Sequence, residues 1–178
     1  MFWKKKKSKK SEFKCSECGN IHLEWPALVF NSPDNYYNLS DSEKLEIGKL
    51  DTDFCEIHYE NQVDRFVRVV LIKKLNDACE MLEYGLWVSL SEKSYSDYLV
   101  NYNNSNHETG YFGWISNNIF EYADMSTISC NVITKSGNDR PEIFPHEDFD
   151  HQFVKDFYNG ITKKEAIRRV NDMLRNTK

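Results

Sequence analysis

Apolar and polar positions follow two different periods along this chain. In "EYGLWVSLS", Tyr84, Leu86, Val88 and Leu90 fall on one side of an extended chain, with Gly85, Trp87 and Ser89 on the other. A period of two predicts a strand. "DFCEIHYE" and the β-branched "DRFVRVVLIKKL" predict two more, joined as a hairpin at the polar Asn61–Gln62. "YFGWIS" predicts a short strand. "STISCNVITK" predicts another, with Ile128, Cys130, Val132 and Thr134 inward. After the turn signal "SGNDRP", "EIF" pairs back as an edge strand, where the missing donor of Pro141 costs nothing.

The helical period appears elsewhere. Ser40 and Glu43 form an S-x-x-E capping box ahead of a helix at about 41–48. In "EKSYSDYLVNY", Tyr95, Tyr98, Leu99 and Tyr102 recur at helical spacing. Phe149, Phe153, Val154 and Phe157 form an apolar stripe, and Asn159–Gly160 signals its end. Thr162 and Glu165 then cap a last helix. Its stripe is Ala166, Ile167, Val170, Met173 and Leu174, with Arg168, Arg169 and Arg175 off it. Together these predict an α+β fold: a largely antiparallel sheet of about six strands, with helices mainly toward the C-terminus.

Length and composition change little in this picture. The 178 residues suit one domain, expected over 13–178 behind a basic tail at 1–12. "MFWKKKKSKK" carries six Lys and no acid, which leaves 17 basic and 28 acidic residues in the body. A body of that charge repels phosphates, so nucleic acid is not an expected partner. It suits a basic protein partner instead. The tail, with Phe2 and Trp3, offers contact with an anionic membrane surface. No apolar run follows the tail, and the expected location is cytoplasmic.

"FKCSECGNIH" holds the main candidate chemistry. Cys15 and Cys18 have C-x-x-C spacing. A zinc knuckle, two buried thiols and a redox pair all fit it. The following Gly19 lets the chain turn back under an ion, which favours structural zinc over a helix-borne redox pair. His22 and Cys55 are the expected further ligands. His58 is three residues from Cys55 on a strand and faces the opposite side. Cys79 and Cys130 are expected in the core.

The chain resembles a bacterial family known as domain of unknown function 2199. The likeness rests on "CSECGNIH", "SPDNYY", "LDTDFC", "FVRVVLIKKL", "YGLWVSLSE", "YFGWIS", "RPEI" and "DH" through "NGIT". It implies one domain and no particular activity. By resemblance the motif positions are Cys15, Cys18, His22, Asp53, Cys55, Arg68, Trp87, Ser89, Gly113, Trp114, Arg140, Pro141 and His151. Gln152 departs from the pattern, which places proline after the histidine.

Two functions compete. One is a zinc-stabilised domain that binds another protein, with Tyr111, Phe112, Trp114 and Trp87 as a candidate recognition patch. Immunity proteins are an analogy of size and charge alone. The other is a small hydrolase-type enzyme with a pocket around His151 and Arg140, to which Asp53 and Ser89 would contribute. The serine lacks a G-x-S-x-G elbow.

Overall fold

Two long strands carry the architecture. The computed structural model describes residues 12–14, 19, 21–23, 25–137 and 139–176, with the backbone alone at 12–14, 22, 23, 174 and 176. In it β6 (Val63–Lys74) and β7 (Met81–Leu90) form an antiparallel hairpin, in register from Phe66↔Ser89 to Lys74↔Met81. β8 (Gly110–Ile115), β9 (Ser129–Ile133) and β10 (Glu142–Pro145) follow, each antiparallel to the strand before it. β10 then meets the other edge of β6 in parallel at Glu142↔Val70, and Val70 N donates to Pro141 O at 2.9 Å. Strands β6 to β10 therefore close into a five-stranded barrel.

This corrects the expected edge strand at "EIF". β10 is paired on both sides, so closure removes a row of free backbone groups there. The α+β class and the mostly antiparallel pairing hold. Ten strands occur among the described residues rather than about six. The extra ones are short. β3 (Leu28–Val29) adds in parallel to β7, and β4 (Gly48–Leu50) pairs with β5 (Phe54–His58), which lies antiparallel to the first half of β6. Segments of two or three residues are too short to display a period.

β1 (Glu12–Lys14) and β2 (Ile21–Leu23) form a separate antiparallel pair. Gly19 between them takes φ 73°, the left-handed region that favours glycine. Cys15 and Cys18, the core of the expected knuckle, lie outside the described residues, as does the side chain of His22. No zinc knuckle is evident among the described residues.

Helices α1 (Asp34–Tyr37) and α2 (Asp41–Glu46) precede the barrel strands, so helices are not confined to the C-terminal part. The capping box forms as expected: Glu43 N donates to Ser40 Oγ and Ser40 N to the Glu43 carboxylate. α3 (Glu92–Val100), α4 (Gln152–Asn159) and α5 (Lys163–Asn176) complete the set.

The two-residue period decides what lies inside. Val67, Val69 and Leu71 of β6, Leu82 to Leu90 at even positions of β7, Ile115, Cys130, Val132 and Ile143 form one buried cluster. Phe153, Val154 and Ala166 of α4 and α5 join it. A five-stranded barrel has room only for such side chains. Odd positions of β7 point outward, yet Trp87 is fully buried. Phe30, Tyr36, Leu39 and Ile47 cover it beside Cys55, Ile57 and Phe66. Trp87 Nε1 donates to Phe30 O at 3.0 Å. Buried Asn117 pins this layer to the barrel: Oδ1 accepts from Trp87 N at 2.8 Å, and Nδ2 donates to Ser32 O and Asp34 Oδ1.

Gly160 ends α4 with φ 75°, and a Cβ there would meet Lys74 O at 3.0 Å. That close approach lets Ile161 N donate to Lys74 O and brings α5 back to the barrel. α5 also carries a correction. Arg169, expected off the buried stripe, is 4% exposed, whereas Ile167 is 46% exposed. Arg169 faces inward toward polar partners, Tyr84, Tyr122 and Asp156, which apolar periodicity alone does not register.

Candidate functional site

The candidate residues fall into three separate places. The first is where β6 changes partner. β5 pairs with β6 up to Val67 and β10 joins at Val70, so Arg68 lies at the gap. There Arg68 N donates to Asp53 O at 2.9 Å, and Arg68 Nη1 donates to Thr52 O. The Asp53 carboxylate accepts from Arg140 Nε at 2.5 Å and from Tyr102 Oη at 2.7 Å. The Arg68 guanidinium sits 6.0 Å from the Trp87 ring. Asp53, Arg68, Trp87 and Arg140, from four distant segments, thus converge. Burial and then the nearby Arg140 charge lower the pKa of Arg68. The hydrogen bond to Asp53 chiefly holds Tyr102 protonated, its pKa pushed up to about 12. A pocket of about 210 Å³ opens here, lined by Asp53, Tyr102, Arg140, His107, Lys135 and Asp139 among others.

Tyr102 was expected on the inner stripe of a helix. α3 ends at Val100, and Tyr102 follows the Asn101 cap, which frees it to reach Asp53. Helical spacing carried past the true end of the helix hid this role.

The second place is a cleft of about 660 Å³ lined by Asp34, Asp64, Arg65, Ser89, Phe112 and Trp114, with other polar residues. Phe112 and Trp114 point outward from β8, at 50% and 44% exposure, while Tyr111, Gly113 and Ile115 point inward. The two rings meet edge to face at 5.4 Å, and His146 lies 5.5 Å from Phe112. Of the expected recognition residues, Trp114 and Phe112 are accessible and Trp87 and Tyr111 are buried. Ser89 reaches this cleft, not the pocket of Asp53. The neighbouring serines serve the backbone: Ser91 Oγ accepts from Ser94 N, and Ser116 Oγ donates to Trp114 O.

The third place holds His151. Its Nδ1 accepts from Phe153 N at 3.1 Å and so caps α4. Its ring lies near those of Tyr122 and Phe149. His151 lines none of the described pockets, and Arg140 is engaged with Asp53. None of the described pockets joins His151 to Arg140. The histidine itself takes the N-cap position of α4, and Asp150 pairs with Lys155.

Beside His151 lies a buried charge cluster. Lys73 Nζ donates to Tyr122 Oη at 2.7 Å and lies over the Tyr122 and Phe153 rings. Arg169 donates to Tyr122, Tyr84 and Glu165, and Tyr122 Oη donates to Asp156 at 2.7 Å. Burial, then the Arg169 charge, lowers the pKa of Lys73 to about 7. In "VLIKKL" the parity of Val67, Val69 and Leu71 already places Lys73 inward.

Cys55 points into the apolar layer with Ile57, Phe66 and Trp87, where burial pushes its thiol up to about 12. Such surroundings hold a thiol rather than a metal-binding thiolate. Among the described residues no group of three or more His, Cys, Asp or Glu is placed to hold a metal ion.

The fold and its sites can be set beside known proteins. Residues 14–161 match the family described as "Uncharacterized protein conserved in bacteria (DUF2199)". The chain belongs to that family. The DUF2199 match covers every barrel strand and α4, and ends before α5. No curated protein and no solved structure gives a significant match. Among the described residues no helix is long and apolar enough to cross a membrane.

Proposed function

We propose that this DUF2199 protein is a binding domain that takes a basic segment of another protein on the outer face of β8. The observation that carries this reading is the pair of half-exposed rings, Phe112 and Trp114, beside the 660 Å³ cleft. Covering the exposed part of each ring, on the order of 100 Å², contributes about 2.5 kcal/mol apiece at about 25 cal/mol per Å². Ring faces also attract Lys and Arg side chains. Asp64 adds a carboxylate to the cleft, and the body is acidic beyond the tail. The hydrolase reading finds no support in the placement of His151 and Arg140.

The test is peptide selection from a random displayed library against the wild type and the Phe112→Ala/Trp114→Ala variant. Basic sequences retained by the wild type and lost by the variant are expected. The same sequences recovered from both proteins would refute the site.

Structural zinc at the β1–β2 pair is a separate proposal. It is supported by the Lys14↔Ile21 pairing, which brackets Cys15 and Cys18 in the sequence, and by the left-handed Gly19. Elemental analysis should find zinc in the wild type and in Cys55→Ser, and none in Cys15→Ser. Equal zinc in all three would end it.

A further inference from the structure

We propose that the pocket at Asp53 binds a small oxyanion, a phosphate or carboxylate group, through the guanidinium of Arg140 with the charge of Arg68 behind it. The site is distinct from the β8 face and does not depend on it. Arg140 donates to the Asp53 carboxylate and Arg68 donates to the carbonyl of neighbouring Thr52, so two guanidinium groups attach to the same short segment and one carboxylate serves it. Among the described residues Arg140 uses only Nε, so its two Nη groups have no protein acceptor. Arg68 does not line the pocket and its Nε is buried, so it acts on an anion there through its charge alone. The free Nη pair of Arg140 forms a fork that matches the geometry of an oxyanion. The other basic side chains nearby are already engaged: Lys135 pairs with Glu142, and His107 is hydrogen-bonded to Asp97. Asp139 is the opposing group and is exposed to solvent. The acidic body repels anions at long range, but salt screens charges beyond about 8 Å at physiological ionic strength. Within the pocket the Arg140 guanidinium decides. About 210 Å³ admits a phosphate or a short carboxylic acid, not a nucleotide.

The test is an NMR titration of the full chain at constant ionic strength, following the arginine Nε–H signals with inorganic phosphate and, separately, with acetate. Saturable shifts at Arg68 and Arg140 are expected with at least one of them, and the stronger ligand identifies the group recognised. Arg140→Gln should weaken binding by at least about tenfold, while Arg140→Lys, which keeps the charge without the fork, should keep part of it. Asp53→Asn removes the competing carboxylate and should tighten binding. Linear shifts with both anions, equal affinity in R140Q, or weaker affinity in D53N would overturn the proposal.

Discussion

Beneath α4 and α5 the protein holds charges inside; on the flank of the barrel, at β8, it holds aromatic rings outside. Both regions invert the usual placement, and they do so differently. Lys73 is fully buried and Arg169 nearly so, yet each has partners: Tyr122, Asp156, Glu165 and Tyr84. Phe112 and Trp114 have each other, His146 and open space. A satisfied buried charge is a feature of the fold. On the function proposed above, the uncovered ring pair beside the cleft is where a partner docks. The contrast separates structure from function more clearly than residue type does. His151, a catalytic candidate in the sequence, caps α4, while Arg169 beside it ties α5 to Tyr84 and Tyr122.

Breaking the buried region should have the largest effect. Arg169→Ala leaves Asp156 and Glu165 without their buried partner and should cost about 3–5 kcal/mol in urea unfolding. Because α5 lies beyond the matched DUF2199 segment, a loss below about 1 kcal/mol would show that the segment needs no help from that helix. Lys73 gives a pH signature. Its folded pKa of about 7 is below the ordinary lysine value, so the unfolded chain holds the extra proton above pH 7. Stability from this group should therefore rise between pH 7 and 9, and Lys73→Met should flatten that rise. An identical slope in both proteins would count against it.

Smaller effects sharpen the other side. Ser40→Ala removes the α2 cap and should cost about 1 kcal/mol, although the site is exposed. Phe112→Ala and Trp114→Ala should each change stability by less than about 0.5 kcal/mol, since their outer faces cover little. A loss several times larger would make the rings part of the core and close the comparison.

Periodicity made most of the barrel legible. Alternation in "EYGLWVSLS" and "STISCNVITK" placed inward and outward positions correctly, because each strand has one face on the barrel core. Barrel closure was not legible. It depends on a single parallel junction, Glu142↔Val70, and sequence patterns do not record which edge a strand finally meets. The convergence of Asp53, Arg68 and Arg140 is likewise set by that junction, so the motif positions were visible and their meeting was not. Tyr102 escaped because a helix end moved it out of its stripe. Arg169 escaped because its partners, Tyr84, Tyr122 and Asp156, are polar, and apolar stripes do not register polar cores. The metal expectation rested on Cys15 and Cys18, which lie outside the described residues; for Cys55, its candidate further ligand, parity alone could not show that its side of β5 is covered by Trp87 and Phe66.

On the function proposed above, the β8 face binds a partner and does not build the fold. One measurement tests it most directly: binding of a selected basic peptide to the wild type and to the Phe112→Ala/Trp114→Ala variant, with urea unfolding of both in the same buffer. The account predicts at least about a hundredfold loss of affinity, equivalent to about 2.7 kcal/mol, with unfolding free energies alike within about 1 kcal/mol. Unchanged affinity, or a variant that loses binding only because it has lost its fold, would contradict it.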